Sequence, residues 1–334
     1  MSEAGMHDVL VVGGGPAGLS AALTLARALH TVAVFDSGTY RNERATHMHV
    51  VPTWDHRSPA EFRAAAREEI LARYDTVSFH DVAVSDIARL EPAGVFEAKT
   101  ADGKVWKSRA VILATGVRDV MPDIEGYDEC WVRAIFHCLF CHGFEERGVS
   151  SAGILAIDDV AAAGPALHLA RQARALVAPG GKVTIYTNGP NEALATAVEA
   201  GLASLEKSSV MVDMRRIKKL TKAPTGGSDV VIHFADDGDA SAEASKTEGF
   251  LVHKPKMVVN GPFAAQLGLQ MTADGDIQTV SPMGATDVKG VFVAGDCGNK
   301  MKTVTNAIST ASVAAAMVSA FVQAEAAKGD PKLP

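Results

Sequence analysis

The chain has 334 residues, of which 47% are hydrophobic, 6% aromatic and 21% charged, enough apolar material for one large or two ordinary α/β domains with buried cores, so disorder is excluded as the default. A formal net charge of -7 provides no basic stripe with interleaved aromatics, and nucleic acid is not an expected partner. The polar start from Met1 to His7, and the lack of an uninterrupted apolar run of about 20 residues, argue against a membrane span and for a cytoplasmic protein.

In chain order, Asp8-Val9-Leu10-Val11-Val12 is a short apolar run of strand type. Gly13-Gly14-Gly15-Pro16-Ala17-Gly18 follows, and then Leu19, Ala22, Leu23, Ala26 and Leu29 recur at helical spacing. Strand, glycine turn and helix together form a dinucleotide fingerprint. Gly13 permits the tight turn, Gly15 lets the backbone approach a pyrophosphate, and Gly18 lets the helix pack on the strand, with the phosphates meeting the helix N-terminus. A second apolar strand, Thr31 to Phe35, ends in Asp36, placed to hydrogen-bond a ribose hydroxyl. His47, Met48 and His49 then precede Val50-Val51-Pro52-Thr53-Trp54. Two histidines two apart in irregular chain, with no acid or cysteine beside them, predict a loop packed on this domain and no metal site. Val111 to Gly116 is a buried strand ending in a small-residue turn, and Val120 to Gly126 is a Pro/Gly connector.

The run His137-Cys138-Leu139-Phe140-Cys141-His142 holds two of the four cysteines. Four cysteines make a poor disulfide framework in this length, and a C-x-x-C in a cytosolic α/β chain reads as redox-active. Structural zinc would need a second close pair, and Cys130 lies alone upstream. Cys130 and Cys297 read as small buried apolar residues. Leu139 and Phe140 suit an apolar ring system, which favours a small molecule over a protein as the thiol partner. Beyond the cysteines, Ile154-Leu155-Ala156-Ile157 runs into Asp158-Asp159-Val160-Ala161-Ala162-Ala163-Gly164, and Val183-Thr184-Ile185-Tyr186 into Thr187-Asn188-Gly189-Pro190 without Arg or Lys. A polar tract, Asp236 to Lys246, precedes a last strand, Gly290 to Asp296, and Thr303-Val304-Thr305-Asn306-Ala307 opens the final helix, whose Ala311 to Ala316 predicts a close-packed face.

On these segments the chain resembles, nearly end to end, the thioredoxin-reductase branch of the two-dinucleotide-domain flavoproteins. The resemblance implies an α/β fold of two Rossmann-like domains, the second inserted into the first, in a homodimer. Residues 1–119 and 247–334 would build the FAD domain, and 120–246 the inserted domain carrying the cysteine pair. It further implies that FAD is held by Gly13, Gly15, Pro16, Ala17 and Gly18, by Asp36 and Ser37, and by the Ala114-Thr115-Gly116 turn. Asp296 would contact the ribityl chain, with Val304 and Thr305 beside the pyrimidine ring, while Arg41, Asn42, His49 and Val82 line the cofactor.

In that branch the inserted domain binds NADPH through a second glycine-rich turn and through basic residues after its second strand. Here Asp158 and Asp159 stand in the turn, where a carboxylate repels a pyrophosphate, and Thr187 to Pro190 offers no cation. The expectation is a retained fold with a lost nicotinamide site, so that electrons enter through sulfur. Val34 to Gly38, Tyr40-Arg41-Asn42, Ile124 to Tyr127, His137 to Gly143 and Glu248-Gly249-Phe250 resemble the gliotoxin-oxidase type of dithiol oxidase, whose members close disulfides in reduced epidithiodiketopiperazines and pass electrons from FAD to oxygen. By this resemblance Cys138 exchanges with a small dithiol, Cys141 faces the flavin, and His142 is the general base, with His137 as the alternative. A helix N-terminus beside the pair would lower the thiol pKa. Two other functions stay open: an NADPH-dependent disulfide reductase, and a flavoprotein that sequesters a disulfide toxin without turnover.

Overall fold

A computed structural model describes residues 5–92, 94–203, 206, 209–236 and 244–329. The chain divides into two units, Met1–Arg118 with Met257–Pro334, and Asp119–Lys256. The polar tract from Asp236 to Lys246 falls mostly outside the described residues, at 237–243.

The first unit opens with β1 (Met6–Val12), two residues longer than the expected strand, then α1 (Pro16–Arg27) and β2 (Val32–Phe35). These are followed by α2 (Pro59–Arg73), β3 (Val77–His80), β4 (Val84–Leu90), β5 (Val95–Thr100) and β6 (Val105–Leu113). The order β3-β2-β1-β6 is parallel, with β1 at its centre. Its Val9, Leu10 and Val11 are fully buried, the near-continuous apolar run that a parallel strand covered on both faces requires. β6 has two halves: Val105–Ser108 pairs antiparallel with β5, and Val111–Leu113 pairs parallel with a late strand of the chain. Pro16 starts α1, a position where the missing N–H costs nothing, and Ser58 caps α2 by accepting from Ala60 N and Glu61 N.

The chain then passes through β7 (Val117–Val120) into the second unit. That unit contains α3 (Tyr127–Cys130), β8 (Ile135–Phe136), α4 (Leu139–His142), β9 (Val149–Leu155), α5 (Ala163–Leu176), β10 (Val177–Tyr186), α6 (Glu192–Gly201) and β11 (Val210–Asp213). After them come β12 (Ile217–Lys222), β13 (Val230–Phe234), β14 (Ser245–Glu248) and β15 (Leu251–Val252). A parallel sheet runs β11-β10-β9-β15-β8, and β12-β13-β14 forms an antiparallel one. The expected boundary at 246 is therefore corrected. Glu248 pairs with Val230, and Leu251 sits between Gly153 and Ile135 in the sheet, so the second unit keeps the chain as far as Lys256.

The return supplies β16 (Lys256–Val259), α7 (Phe263–Gln266), β17 (Val291–Val293) and α8 (Val304–Gly329). Thr303 caps α8 by accepting from Asn306 N. Although no membrane span was expected, α8 is long and apolar enough to cross a bilayer by length and composition. Its Ala307, Ala311, Ala314, Ala315, Val318 and Val322 instead join Leu25 and Ala22 of α1 in one buried cluster, where small side chains bring the two helices close.

Gly18 decides whether α1 can lie on β1, because a Cβ there would stand 1.7 Å from the Gly13 carbonyl oxygen. Gly18→Ala is expected to destabilise the protein by about 1–3 kcal/mol through overpacking against backbone, read as a lower urea midpoint at an unchanged m-value.

Candidate active site

Two loci carry the chemistry, one in each unit. In the first unit, β1 leads into a turn with no room for side chains. Gly13 has φ 119, and a Cβ on it would lie 2.3 Å from Ala114 O; a Cβ on Gly14 would lie 2.1 Å from Asp36 Oδ2. Gly15, the N-cap of α1, is different. Nothing lies within 4 Å of its Cβ position, and no side chain caps the helix. The turn is thus packed against protein on one side and open at the helix N-terminus, the arrangement that lets a pyrophosphate meet backbone amides.

Asp36 closes the other edge of this cradle. It is buried, its Oδ1 accepts from Gly38 N at 2.9 Å and its Oδ2 from the Tyr40 hydroxyl at 2.6 Å. Each carboxylate oxygen retains a further lone pair. Burial, and then the Asp36 carboxylate, push the Tyr40 phenol up to about 12. Ser37 is exposed, and Val82 is half-buried against the core cluster that holds Phe35. The Ala114-Thr115-Gly116 turn is tied by Ala114 N to Val12 O at 2.9 Å, and by Asn260, whose Nδ2 donates to Thr115 O at 3.0 Å.

Asp296 lies at the end of β17 in a 3-10 turn. Arg41 Nη1 donates to its Oδ2 at 3.3 Å, whereas Asn42 accepts from Arg63 Nη1 at 3.1 Å, so these neighbouring residues are directed to different partners. Lys302, whose ammonium was not singled out in the sequence, anchors the segment before α8. It is nearly buried and reaches Asp276 Oδ1 at 2.6 Å, Asp296 O at 2.8 Å and Asn299 O at 2.8 Å. Val304 is the first residue of α8, and the Thr305 hydroxyl meets that of Thr303 at 3.2 Å. His49 gains a partner invisible in the linear pattern: its Nε2 lies 3.0 Å from His56 Nδ1, while His47 stacks on His56 with ring centroids 4.3 Å apart. Val50, Thr53 and His56 in this loop have φ of 64, 68 and 57, strained values for residues with a Cβ.

In the second unit, Cys138 and Cys141 form a disulfide with a Cα–Cα distance of 5.3 Å. β8 delivers His137 and Cys138, and α4 places Cys141 and His142 one turn on, with Cys141 N and His142 N both donating to Cys138 O at 3.2 Å. Leu139 is buried and pins α4 to the core shared with Phe136 and Val177. Gly143 ends the turn, because a Cβ there would stand 2.3 Å from Leu139 O. His142 stacks on the buried Phe136 at 5.2 Å, and His137 on Trp131 at 5.7 Å. Cys138 stands at the N-cap of α4, a helix of four residues. Cys130 and Cys297 stay outside any disulfide, both buried, and burial pushes both thiols up.

The family model for Pyridine nucleotide-disulphide oxidoreductase matches residues 7–150, which include both the glycine turn and the cysteine pair. Thioredoxin reductase aclD of Aspergillus oryzae is 48% identical over 93% of this chain and 94% of its own length. Thioredoxin reductase sirT of Leptosphaeria maculans is 42% identical over 91% of each. The chain belongs to the thioredoxin reductase-like pyridine nucleotide-disulphide oxidoreductases. Among solved structures, an oxidoreductase from Agrobacterium tumefaciens is similar at a TM-score of 0.79 and 29% identity, covering 96% of this chain and 99% of that one.

In the second unit, the turn after β9 carries Asp158, Asp159 and Val160. Asp158 takes φ 50, a conformation natural to glycine, and Asp158–Val160 form a 3-10 turn whose Val160 side chain is buried in the core. The Asp158 carboxylate lies 3.9 Å from His253 Nε2 and 3.6 Å from Lys256 Nζ. At the end of β10, Tyr186 turns inward and donates to the buried Glu248, which also pairs with Lys246 at 3.0 Å. The expectation that no cation stands near this strand end is corrected by the third dimension. Arg215 and Arg216 follow the neighbouring β11, and Ile217 N donates to Asn188 Oδ1 at 2.8 Å, which draws that segment against the β10–α6 loop. The Arg215 guanidinium pairs with Asp213 and stacks on Phe234 at 3.6 Å, while Arg216 is exposed. The signal was present in Met214-Arg215-Arg216 after a short apolar run, but only the parallel pairing of β10 with β11 makes it relevant.

His253 is fully buried, its Nδ1 is 2.7 Å from the Tyr127 hydroxyl, and burial lowers its pKa from 6.5 to about 4 against the opposing pull of Asp158. Since the folded value lies below the unfolded one, neutral His253 contributes stability that is fully present above pH 6.5 and is lost as pH falls toward 4. The loss expected is roughly 3 kcal/mol, read as a falling urea midpoint between those pH values that His253→Gln flattens.

Proposed function

We propose that this chain is an FAD-dependent dithiol oxidase that closes an intramolecular disulfide in a small sulfur-containing metabolite of the epidithiodiketopiperazine type, with O2 accepting the electrons. The observation that carries this reading is the turn after β9. Asp158, Asp159 and Val160 replace the glycines that let a backbone approach a pyrophosphate, Val160 is plugged into the core, and Asp158 is tied to Lys256. A dinucleotide phosphate would meet carboxylates at that helix N-terminus. The first unit contrasts with it. Gly15 is open, and Gly13, Gly14 and Gly18 permit close approach, so Gly13 to Gly18, Asp36, the Ala114 turn and Asp296 fit a flavin dinucleotide. Assembly as a homodimer belongs to the same reading.

The chemistry is thiol–disulfide exchange. A substrate thiolate attacks Cys138 Sγ, and Cys141 Sγ leaves as a thiolate. The second substrate thiolate attacks the substrate sulfur of the mixed disulfide, releasing Cys138 and the cyclic disulfide. His142, adjoining Cys141, takes a thiol proton, and His137 is its alternative. Bound FAD would supply the two-electron acceptor that returns the pair to the disulfide and would pass the electrons to O2, so that dithiol and O2 balance disulfide and H2O2.

A second reading, an NAD(P)H-fed disulfide reductase, is favoured by Arg215 and Arg216 beside the β10–α6 loop and fits the names of the relatives. Anaerobic mixing of the flavin-loaded protein with NADPH and with a small dithiol separates them. Bleaching of the flavin by the dithiol alone, peroxide on readmission of air and multiple turnovers are expected. Fast bleaching by NADPH would overturn the oxidase reading, and a single stoichiometric oxidation would leave only sequestration. A companion variant, Gly15→Ala, is expected to cost about 1 kcal/mol, since Ala is a poorer N-cap than Gly, while lowering the flavin-to-protein absorbance ratio of the folded, purified protein.

A further inference from the structure

The large apolar side chains most exposed in the second unit, among the described residues, are Phe140 at 75% and Phe144 at 67%. Phe140 lies between the two bonded cysteines, and Phe144 follows four residues later. Their outward direction is set by the packing beneath them. Leu139 occupies the inner face of α4, and Gly143, with no space for a Cβ, joins α4 to the 3-10 turn Phe144–Glu146. Phe144 is also held from one side. The Arg147 guanidinium stacks on its ring at 3.9 Å and donates through Nη1 to Phe144 O at 2.6 Å, so the ring is oriented before any ligand arrives. Two phenyl rings exposed to this degree leave apolar surface that a ligand can bury.

The geometry points to Phe140 and Phe144 as an aromatic platform that seats the ring system of a small dithiol while its sulfur reaches Cys138; this rests on the dithiol-oxidase reading above. Phe140 stands two residues from Cys138 in the single turn of α4 and is exposed. A protein partner laid along this segment would need backbone donors, yet Cys141 N, His142 N and Gly143 N already donate to Cys138 O and Leu139 O. Phenyl faces without donors match an apolar ring.

The test uses full-length, oxidised, flavin-loaded protein and two cyclic disulfides that share a six-membered dithiane ring, the fused-benzene product of benzene-1,2-dimethanethiol and the benzene-free product of dithiothreitol. Binding of each is titrated by calorimetry. The wild type is expected to prefer the benzene-bearing probe by at least tenfold, and Phe140→Ala with Phe144→Ala should bring the ratio of affinities close to one, whereas Phe140→Tyr with Phe144→Tyr should retain most of it. Both pairs of substitutions are on the surface, so their melting temperatures should stay within about 2 °C of the wild type. A wild-type ratio near one, or a ratio that survives the double alanine substitution, would overturn the platform. Because binding needs no electron transfer, failure of dithiols to bleach the flavin would refute the oxidase reading separately from this result.

Discussion

Close approach of backbone to backbone at the β1–α1 turn is the constraint on which the first unit depends. Gly18 rests on the Gly13 carbonyl, Gly13 on Ala114, and Gly14 on Asp36, each at a distance that no Cβ survives. These contacts join three sequence-distant strand ends, those of β1, β2 and β6, at one edge of the parallel sheet. The open N-terminus of α1, the Asp36 carboxylate and the Ala114 turn face one another as a consequence of that packing. Lys302 performs a similar service on the far side, where its ammonium gathers the carbonyls of Asp296 and Asn299 beside the Asp276 carboxylate.

The second unit shows what happens when the layering is kept and the turn is not. Its core, from Ile154 and Ile185 to Ala166, Ala170 and Val198, is as fully buried as that of the first unit. Core packing depends on side chains along strands and helices, so a turn can change its chemistry without dissolving the sheet. Asp158 retains a positive φ that glycine would adopt without strain, yet its carboxylate now interacts with Lys256 and lies near neutral, buried His253. The topology of a dinucleotide unit and the capacity to hold a dinucleotide are separable.

The redox segment combines a fixed base with an exposed outer face. Leu139, Phe136 and Gly143 anchor it, and the rings of Trp131 and Phe136 hold His137 and His142 beside the sulfurs. Local sequence made this segment legible, since a disulfide across three residues needs nothing from elsewhere in the chain. The glycine turn, the apolar strands and the small-residue face of α8 were legible for the same reason: their periodicity and residue type act over one or two turns of chain.

What escaped the linear pattern lies between elements. Ile217, next to Arg216, reached Asn188 only through the pairing of β11 with β10, His56 joined His49 only through the fold of a strained loop, and Lys256 rather than Lys246 ended the second unit because β15 inserts between β9 and β8. The residues by themselves determined which segments are strands, helices and turns, the cysteine pair, and the lack of glycine in the turn between β9 and α5, because these follow from local sterics and short-range hydrogen bonds. Only the tertiary structure decided which strand ends share an edge, which charges meet and which rings remain exposed, because those are properties of long-range packing, in which a residue's partner is set by sheet order and not by distance along the chain.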